Sequence, residues 1–174
     1  NYFNSDLNHK IIVAFFIGHS INWIVNCNLF VLLIHRIKIK KISKAKLFNQ
    51  LISIRSRFLK LSNYDWILYC VSHGGICNGT LNEYSDIDVS IIRKPGFKNF
   101  IYSVLFYIRE KKIADIKGVP LDIFICDSPN NSIARSNYQK NPIVLFDPNN
   151  QIDNYYKENK KISIEESMVL NKYK

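Results

Sequence analysis

Residues 73–92 read His-Gly-Gly-Ile-Cys-Asn-Gly-Thr-Leu-Asn-Glu-Tyr-Ser-Asp-Ile-Asp-Val-Ser-Ile-Ile. The first half is punctuated by Gly74, Gly75 and Gly79 and reads as a loop. The second half, from Ser85, passes into an apolar run and reads as a strand. Within it Asp86 and Asp88 stand two residues apart. Alternate strand residues project from one face, so both carboxylates point the same way. Two carboxylates held together repel each other unless a cation lies between them. Mg²⁺ is the natural cation, since it takes one or two carboxylates together with phosphate oxygens. A lone Asp-x-Asp is common at turns and strand ends; the glycines twelve residues before Asp86 add the second half of a pattern. Glycine at a strand end lets a backbone approach a phosphate closely, with N–H groups turned toward the anion. A phosphate cradle beside paired carboxylates is what phosphoryl or nucleotidyl transfer needs.

The flanks supply the rest of a sheet. Trp66–Val71 is apolar and predicts the strand that the glycines end. Arg93-Lys94-Pro95-Gly96 closes the strand that carries the aspartates; Arg93 and Lys94 are candidates for neutralising phosphate or for an ordinary surface role. Residues 98–112 predict a helix, with Arg109, Lys111 and Lys112 suited to its negative end. Val119–Cys126 predicts a third strand with Asp122 at its middle. On a strand beside the first pair, Asp122 could reach them as a metal ligand or as acceptor of a proton from an attacking hydroxyl. Asp115 and Asp127 are its rivals at the strand's flanks. Residues 129–139 predict a loop or short helix, 142–148 a fourth strand, and 163–172 a helix in a polar tail. Strands alternating with helices imply an α+β or α/β layered fold.

Upstream, Leu47, Leu51, Ile54 and Phe58 fall on one face of an amphipathic helix over 43–61, with Ser43 as its cap. Ile11–Ile34 is long enough to span a bilayer but contains His19, Ser20 and several asparagines. A helix or helical hairpin packed on a core is the expected form, with Ser20 capping a second helix over 21–37. The expected divisions are a helical, basic segment packed on the core (1–62), a sheet-bearing core (63–150) and a polar, helical tail (151–174).

At this point the residues resemble a known family. Gly74, Gly79, Ser85, Asp86 and Asp88, with Pro120-Leu121-Asp122-Ile123 on a later strand, are similar to the signature of the polymerase-β-like nucleotidyltransferases, especially their small bacterial and archaeal members. The resemblance covers roughly residues 64–148. It implies a mixed sheet flanked by helices, and two Mg²⁺ ions held by Asp86, Asp88 and Asp122. It also implies transfer of NMP from a nucleoside triphosphate such as ATP to an acceptor, with release of pyrophosphate. Gly74, Gly75, Ser85 and Lys94 are the nucleotide-binding candidates, Gly74 and Gly75 as the cradle of the β- and γ-phosphates. One departure stands out: the family's usual Ser after the first Gly is Gly75 here, which removes a hydroxyl from that cradle. That departure keeps open a catalytically weak relative acting as antitoxin, regulator or assembly subunit. The segment Gly18-His-Ser-Ile-Asn-Trp23 resembles nucleotidyltransferase-like proteins found with surface-polysaccharide enzymes, without identifying an acceptor.

The 174 residues are 47% apolar and 22% charged, which excludes wholesale disorder and fibrous repeats. The formal net charge is +10, but it is uneven. Residues 1–60 hold ten basic side chains against one acid, while the remainder is nearly neutral. Residues 36–60 carry nine basic residues and no acid. This locates the excess in a patch for an acidic partner or a membrane surface, or in a wall beside a triphosphate, and argues against a general nucleic-acid binder. Cys27, Cys70, Cys77 and Cys126 have no zinc-ligand spacing and read as buried free thiols. With no secretory signal evident, a cytoplasmic, membrane-peripheral protein is expected.

Overall fold

The computed structural model describes residues 2–26, 41–60, 65–135, 141–156 and 160–172. The chain divides into two compact units, 1–39 and 40–174. The second unit holds a mixed four-stranded sheet flanked by helices. Its elements are α2 (Lys44–Lys60), β1 (Ile67–His73), α3 (Gly75–Asn78), β2 (Ile87–Arg93), α4 (Phe97–Lys117), β3 (Leu121–Cys126), α5 (Pro129–Arg135), β4 (Ile143–Phe146), α6 (Ile152–Tyr155) and α7 (Ile164–Leu170). The sheet order is β3-β2-β1-β4. β2 and β3 run parallel across the α4 crossover, whereas β1 is antiparallel to both β2 and β4.

The strands are apolar on both sides because both sides are covered. On one face Cys70, Val89, Ile91 and Ile123 pack with Leu47, Leu51, Ile54 and Phe58 of α2 and Phe106 and Ala114 of α4. Phe58 is the hinge of that layer, with its ring stacked 4.8 Å from Phe106 and 5.5 Å from Phe146. The opposite face carries a smaller cluster of Tyr69, Val71, Ile92 and Cys126 with Ile152 and Tyr156. The predicted stripe of α2 is therefore a core stripe. Since α2 belongs to the compact unit 40–174, the units part at residue 39 and not at the expected residue 62.

Charged residues fasten this helix too. Arg57 forms a two-pronged ion pair with the fully buried carboxylate of Glu110 on α4. Lys41 pairs with Glu83 at 2.6 Å, and Lys44 Nζ donates to the Asn171 carbonyl at 2.7 Å. Much of the described basic segment is thus engaged with the protein's own acids and carbonyls, which weakens the picture of a phosphate-facing wall. Arg36, Lys38 and Lys40 lie outside the described residues.

The predicted helix over 98–112 is longer, ending at Gly118. The tail helix is better anchored than a polar tail. Ser163 caps it in a reciprocal box with Glu166, and Ile164, Ser167 and Asn171 are buried. Cys70, Cys77 and Cys126 are buried free thiols; Cys27 lies outside the described residues.

The first unit contains α1 (Tyr2–Asn26). It runs unbroken through Gly18-His19-Ser20, so Ser20 is not a cap. One glycine costs only about 1 kcal/mol in a helix interior, and no proline follows to enforce a break. The expectation for 27–37 falls outside the described residues. Every side chain from Leu7 to Ile21 is exposed. Among the described residues, no helix is long and apolar enough to cross a membrane.

Candidate functional site

Strand register brings the three aspartates together. In the parallel β2–β3 pair, Asp88 stands opposite Asp122 and Ile87 opposite Leu121. The backbone N–H of Ile87 donates to the Pro120 carbonyl at 3.1 Å, fixing the start of both strands. Asp86 immediately precedes β2 by sequence and shares the alternation of Asp88. Carboxylate oxygens of Asp86, Asp88 and Asp122 all lie within 4.8 Å of one another. Asp86 is exposed, and the other two are half-buried.

Three carboxylates this close are electrostatically unfavourable together. Burial, then the charges of Asp86 and Asp122, push the Asp88 carboxyl up to about 7. Near neutral pH it therefore holds a proton in a large share of molecules. A divalent cation is the ligand that would displace that proton and offset the repulsion. The donor set, three hard oxygens on one side with exposure at Asp86, fits Mg²⁺ with its remaining positions open to water or phosphate.

The glycine loop is built against the same carboxylates. Gly74 has φ +84°, and a Cβ there would stand 2.6 Å from Oδ2 of Asp88. Both the backbone angle and the close approach demand glycine. α3 follows in a single turn and closes at Gly79. A Cβ at Gly79 would lie 2.9 Å from the Leu170 carbonyl oxygen, so α7 seals the loop from behind. Ser167 Oγ and Asn171 Nδ2 both donate to the Ile76 carbonyl, the latter at 2.8 Å. Asn171 Oδ1 accepts from the Leu81 N–H at 3.0 Å. Nothing in the local sequence of the loop announces this support, which comes from some ninety residues away.

Gly75 explains its own departure from serine. A Cβ at this position would be 3.2 Å from Oγ1 of Thr80, tighter than an ordinary contact. The Thr80 hydroxyl thus occupies space beside the place where a serine side chain at 75 would begin.

Lys111 is the residue that sequence reasoning missed. It was expected to serve the negative end of α4, but that helix runs six residues further. Its side chain is instead buried, 7% exposed, with Nζ donating to the Leu121 carbonyl and standing 3.3 Å from Oδ1 of Asp122. The signal was available: Phe106, Glu110 and Ala114 form a buried stripe at four-residue spacing, so the neighbouring Lys111 turns inward as well.

The remaining candidates sort by place. Ser85 works within the loop, its Oγ accepting from the Asn82 N–H at 2.9 Å and its own N–H donating to the Asn82 carbonyl. Ser72 Oγ donates to the Asp88 carbonyl at 2.8 Å and ties β1 to the aspartate strand. His73 lies opposite Asp88 in register, is 5% exposed, and stacks on Tyr156 at 6.2 Å. Burial pushes its imidazole down to about 4, so it is neutral and acts as packing.

Lys94 is a correction. It follows the far end of β2, six residues from Asp88, which is roughly 20 Å along a strand. It cannot join a phosphate site at Gly74. Arg93, at the same end, pairs with Asp127 at 2.7 Å, which also removes Asp127 as a rival carboxylate. Asp115 is outside the three-acid cluster, on α4.

The chain matches no protein-family model and no curated protein.

Proposed function

We propose that the unit 40–174 is a Mg²⁺-dependent nucleotidyltransferase with a polymerase-β-like fold. It would transfer NMP from a nucleoside triphosphate to an acceptor still to be identified. The observation that carries this reading is the meeting of Asp86, Asp88 and Asp122 within 4.8 Å beside a glycine whose Cβ position lies against Asp88. Mixed-sheet topology with a parallel β2–β3 pair agrees with it.

In this reading the three aspartates would hold the metal, which would supply charge neutralisation of a phosphate and activation of a hydroxyl. Asp86, the exposed member, meets incoming solvent or phosphate first. Asp88 would give up its proton to make room for a cation. Lys111, 3.3 Å from Oδ1 of Asp122, would hold that carboxylate in place. Gly74 and Gly75 let the phosphate chain approach the backbone, and Thr80 supplies the hydroxyl that Gly75 lacks. Surface-polysaccharide metabolism is a setting consistent with the Gly18–Trp23 resemblance.

A second reading is favoured by two observations. Gly75 brings no hydroxyl of its own, and Lys111 already neutralises part of the acidic charge. A regulatory or assembly protein that binds nucleotide without transferring it would look the same. Calorimetry with Mg²⁺ and each nucleoside triphosphate, on wild type and on the Asp86→Ala/Asp88→Ala variant, tests both. Metal-dependent binding that the variant loses supports a nucleotide site. Labelled-NMP transfer to candidate acceptors then separates enzyme from binder. Absence of metal-dependent nucleotide binding in wild type overturns both readings.

A further inference from the structure

The buried amine of Lys111 bears on how many cations the acidic centre takes. Lys111 lies inside α4, the crossover between β2 and β3, and those are the strands whose register pairs Asp88 with Asp122. Its neighbour Glu110 is fully buried and held by Arg57, and Phe106 and Ala114 are buried on the same helix. The backbone that carries Lys111 is therefore anchored. At the tip of the side chain, Nζ donates to the Leu121 carbonyl and stands 3.3 Å from Oδ1 of Asp122. The residue is 7% exposed, so an incoming ion cannot displace the ammonium into water without parting α4 from β3.

A buried ammonium on a carboxylate is a cation that the fold itself supplies. It neutralises charge as a metal ion does, but it has only donors and offers no coordination position. Carboxylate oxygens of Asp86, Asp88 and Asp122 lie within 4.8 Å of one another, so the ammonium and any ion among them are close neighbours of like charge. One divalent ion and the ammonium together carry three positive charges, as many as the three carboxylates carry negative. A second divalent ion would add charge of the wrong sign in a half-buried place, where salt screens poorly. The two ions implied by the resemblance to polymerase-β-like nucleotidyltransferases therefore do not both fit the residues of this chain.

We propose that the Lys111 ammonium takes the place of one of those two ions and that the acidic centre holds a single divalent cation. This rests on the metal-site reading above, and its test separates the two.

Equilibrium dialysis of the full chain against saturating Mn²⁺ and inorganic tripolyphosphate counts the ions. Tripolyphosphate presents the charge of a nucleoside triphosphate without committing to a base. Wild type is expected to hold about one Mn²⁺ per chain, with the electron paramagnetic resonance spectrum of an isolated ion. Lys111→Met and Lys111→Gln both remove the positive charge, and the glutamine keeps a donor for the Leu121 carbonyl. Thermal unfolding establishes that each variant is folded. Either is expected to hold about two Mn²⁺, with the spin coupling of a carboxylate-bridged pair. A merely structural lysine would change stability and leave the count alone. About two ions on wild type, or a folded variant that holds one or none, overturns the proposal and leaves the metal-site reading standing. No Mn²⁺ on wild type overturns both.

Discussion

The two ends of β2 carry opposite charges and treat them differently. At the Arg93 end, the guanidinium meets Asp127, donates to the carbonyls of Lys94 and Gly96, and lies over the ring of Phe100. Charge there is matched locally and the side chain is nearly covered. At the Asp88 end, three carboxylates meet one buried amine. The first arrangement is what folding alone selects. The second leaves charge uncompensated and holds it in place with backbone and glycine geometry, at a cost to stability. That cost is the physical argument that the acidic end serves something besides the fold.

Asp88→Asn should break the contrast most completely. Mn²⁺ affinity, read by calorimetry, is expected to fall about a hundredfold. Thermal stability at pH 8 should hold or rise, because an amide relieves the repulsion. A variant that loses stability without losing metal would show the acid to be structural.

Gly74→Ala comes next. The added Cβ overlaps Asp88 Oδ2 and meets a positive φ, so the loop must shift or strain by about 1–2 kcal/mol. Metal binding and the chemical-denaturation midpoint should fall together, whereas an alanine that leaves both unchanged would refute the close approach.

Lys111→Met sharpens the comparison from the other side. Loss of the amine exposes the full acidic charge to a cation, so Mn²⁺ should bind about tenfold tighter. Stability should drop by about 1–3 kcal/mol, since the Leu121 carbonyl loses its donor. Weaker binding would mean that orienting Asp122 outweighs the amine's repulsion.

The pH dependence follows from Asp88. Its carboxyl is raised in the folded chain, to about 7 from an unfolded value near 3.8. The native state therefore binds more protons between those limits, and metal-free stability declines as pH rises through them. After allowance for solvent screening the decline is about 2 kcal/mol or less. Denaturation midpoints from pH 4 to 8 measure it. The same slope should be absent in Asp88→Asn.

Smallest of all is Lys94→Gln at the balanced end. Metal affinity and nucleotide binding should not change, and stability should move by no more than about 0.5 kcal/mol. A large loss of nucleotide binding would restore Lys94 to the site.

These contrasts also mark what was legible beforehand. The Asp86/Asp88 alternation could be read because strand geometry is local, and the Leu47–Phe58 stripe because helical periodicity is local. The pairing of Asp88 with Asp122 needed only the expectation that their strands are neighbours. Lys111 was hidden because the apolar pattern of 98–112 places it at a helix end, whereas the helix runs on to Lys117 and makes it an interior residue. Lys94 was misjudged because sequence proximity to Asp88 hides the length of an extended strand. The role of Ser167 and Asn171 could not be read at all, because their partner Ile76 lies 91 and 95 residues away. Gly18-His19-Ser20 looked like a break because composition resembles a turn, although nothing there forbids helix.

That distant bracing has a consequence in time. A growing chain exposes the glycine loop long before α7 has been made. Until residues 167 and 171 leave the ribosome, the Ile76 carbonyl lacks both of its side-chain donors and Gly79 has nothing behind it. The strands can pair earlier, since β1 and β2 are close in sequence and β3 follows within one crossover. The sheet can thus pair first, and the loop beside the acidic centre takes its final shape only once α7 has emerged.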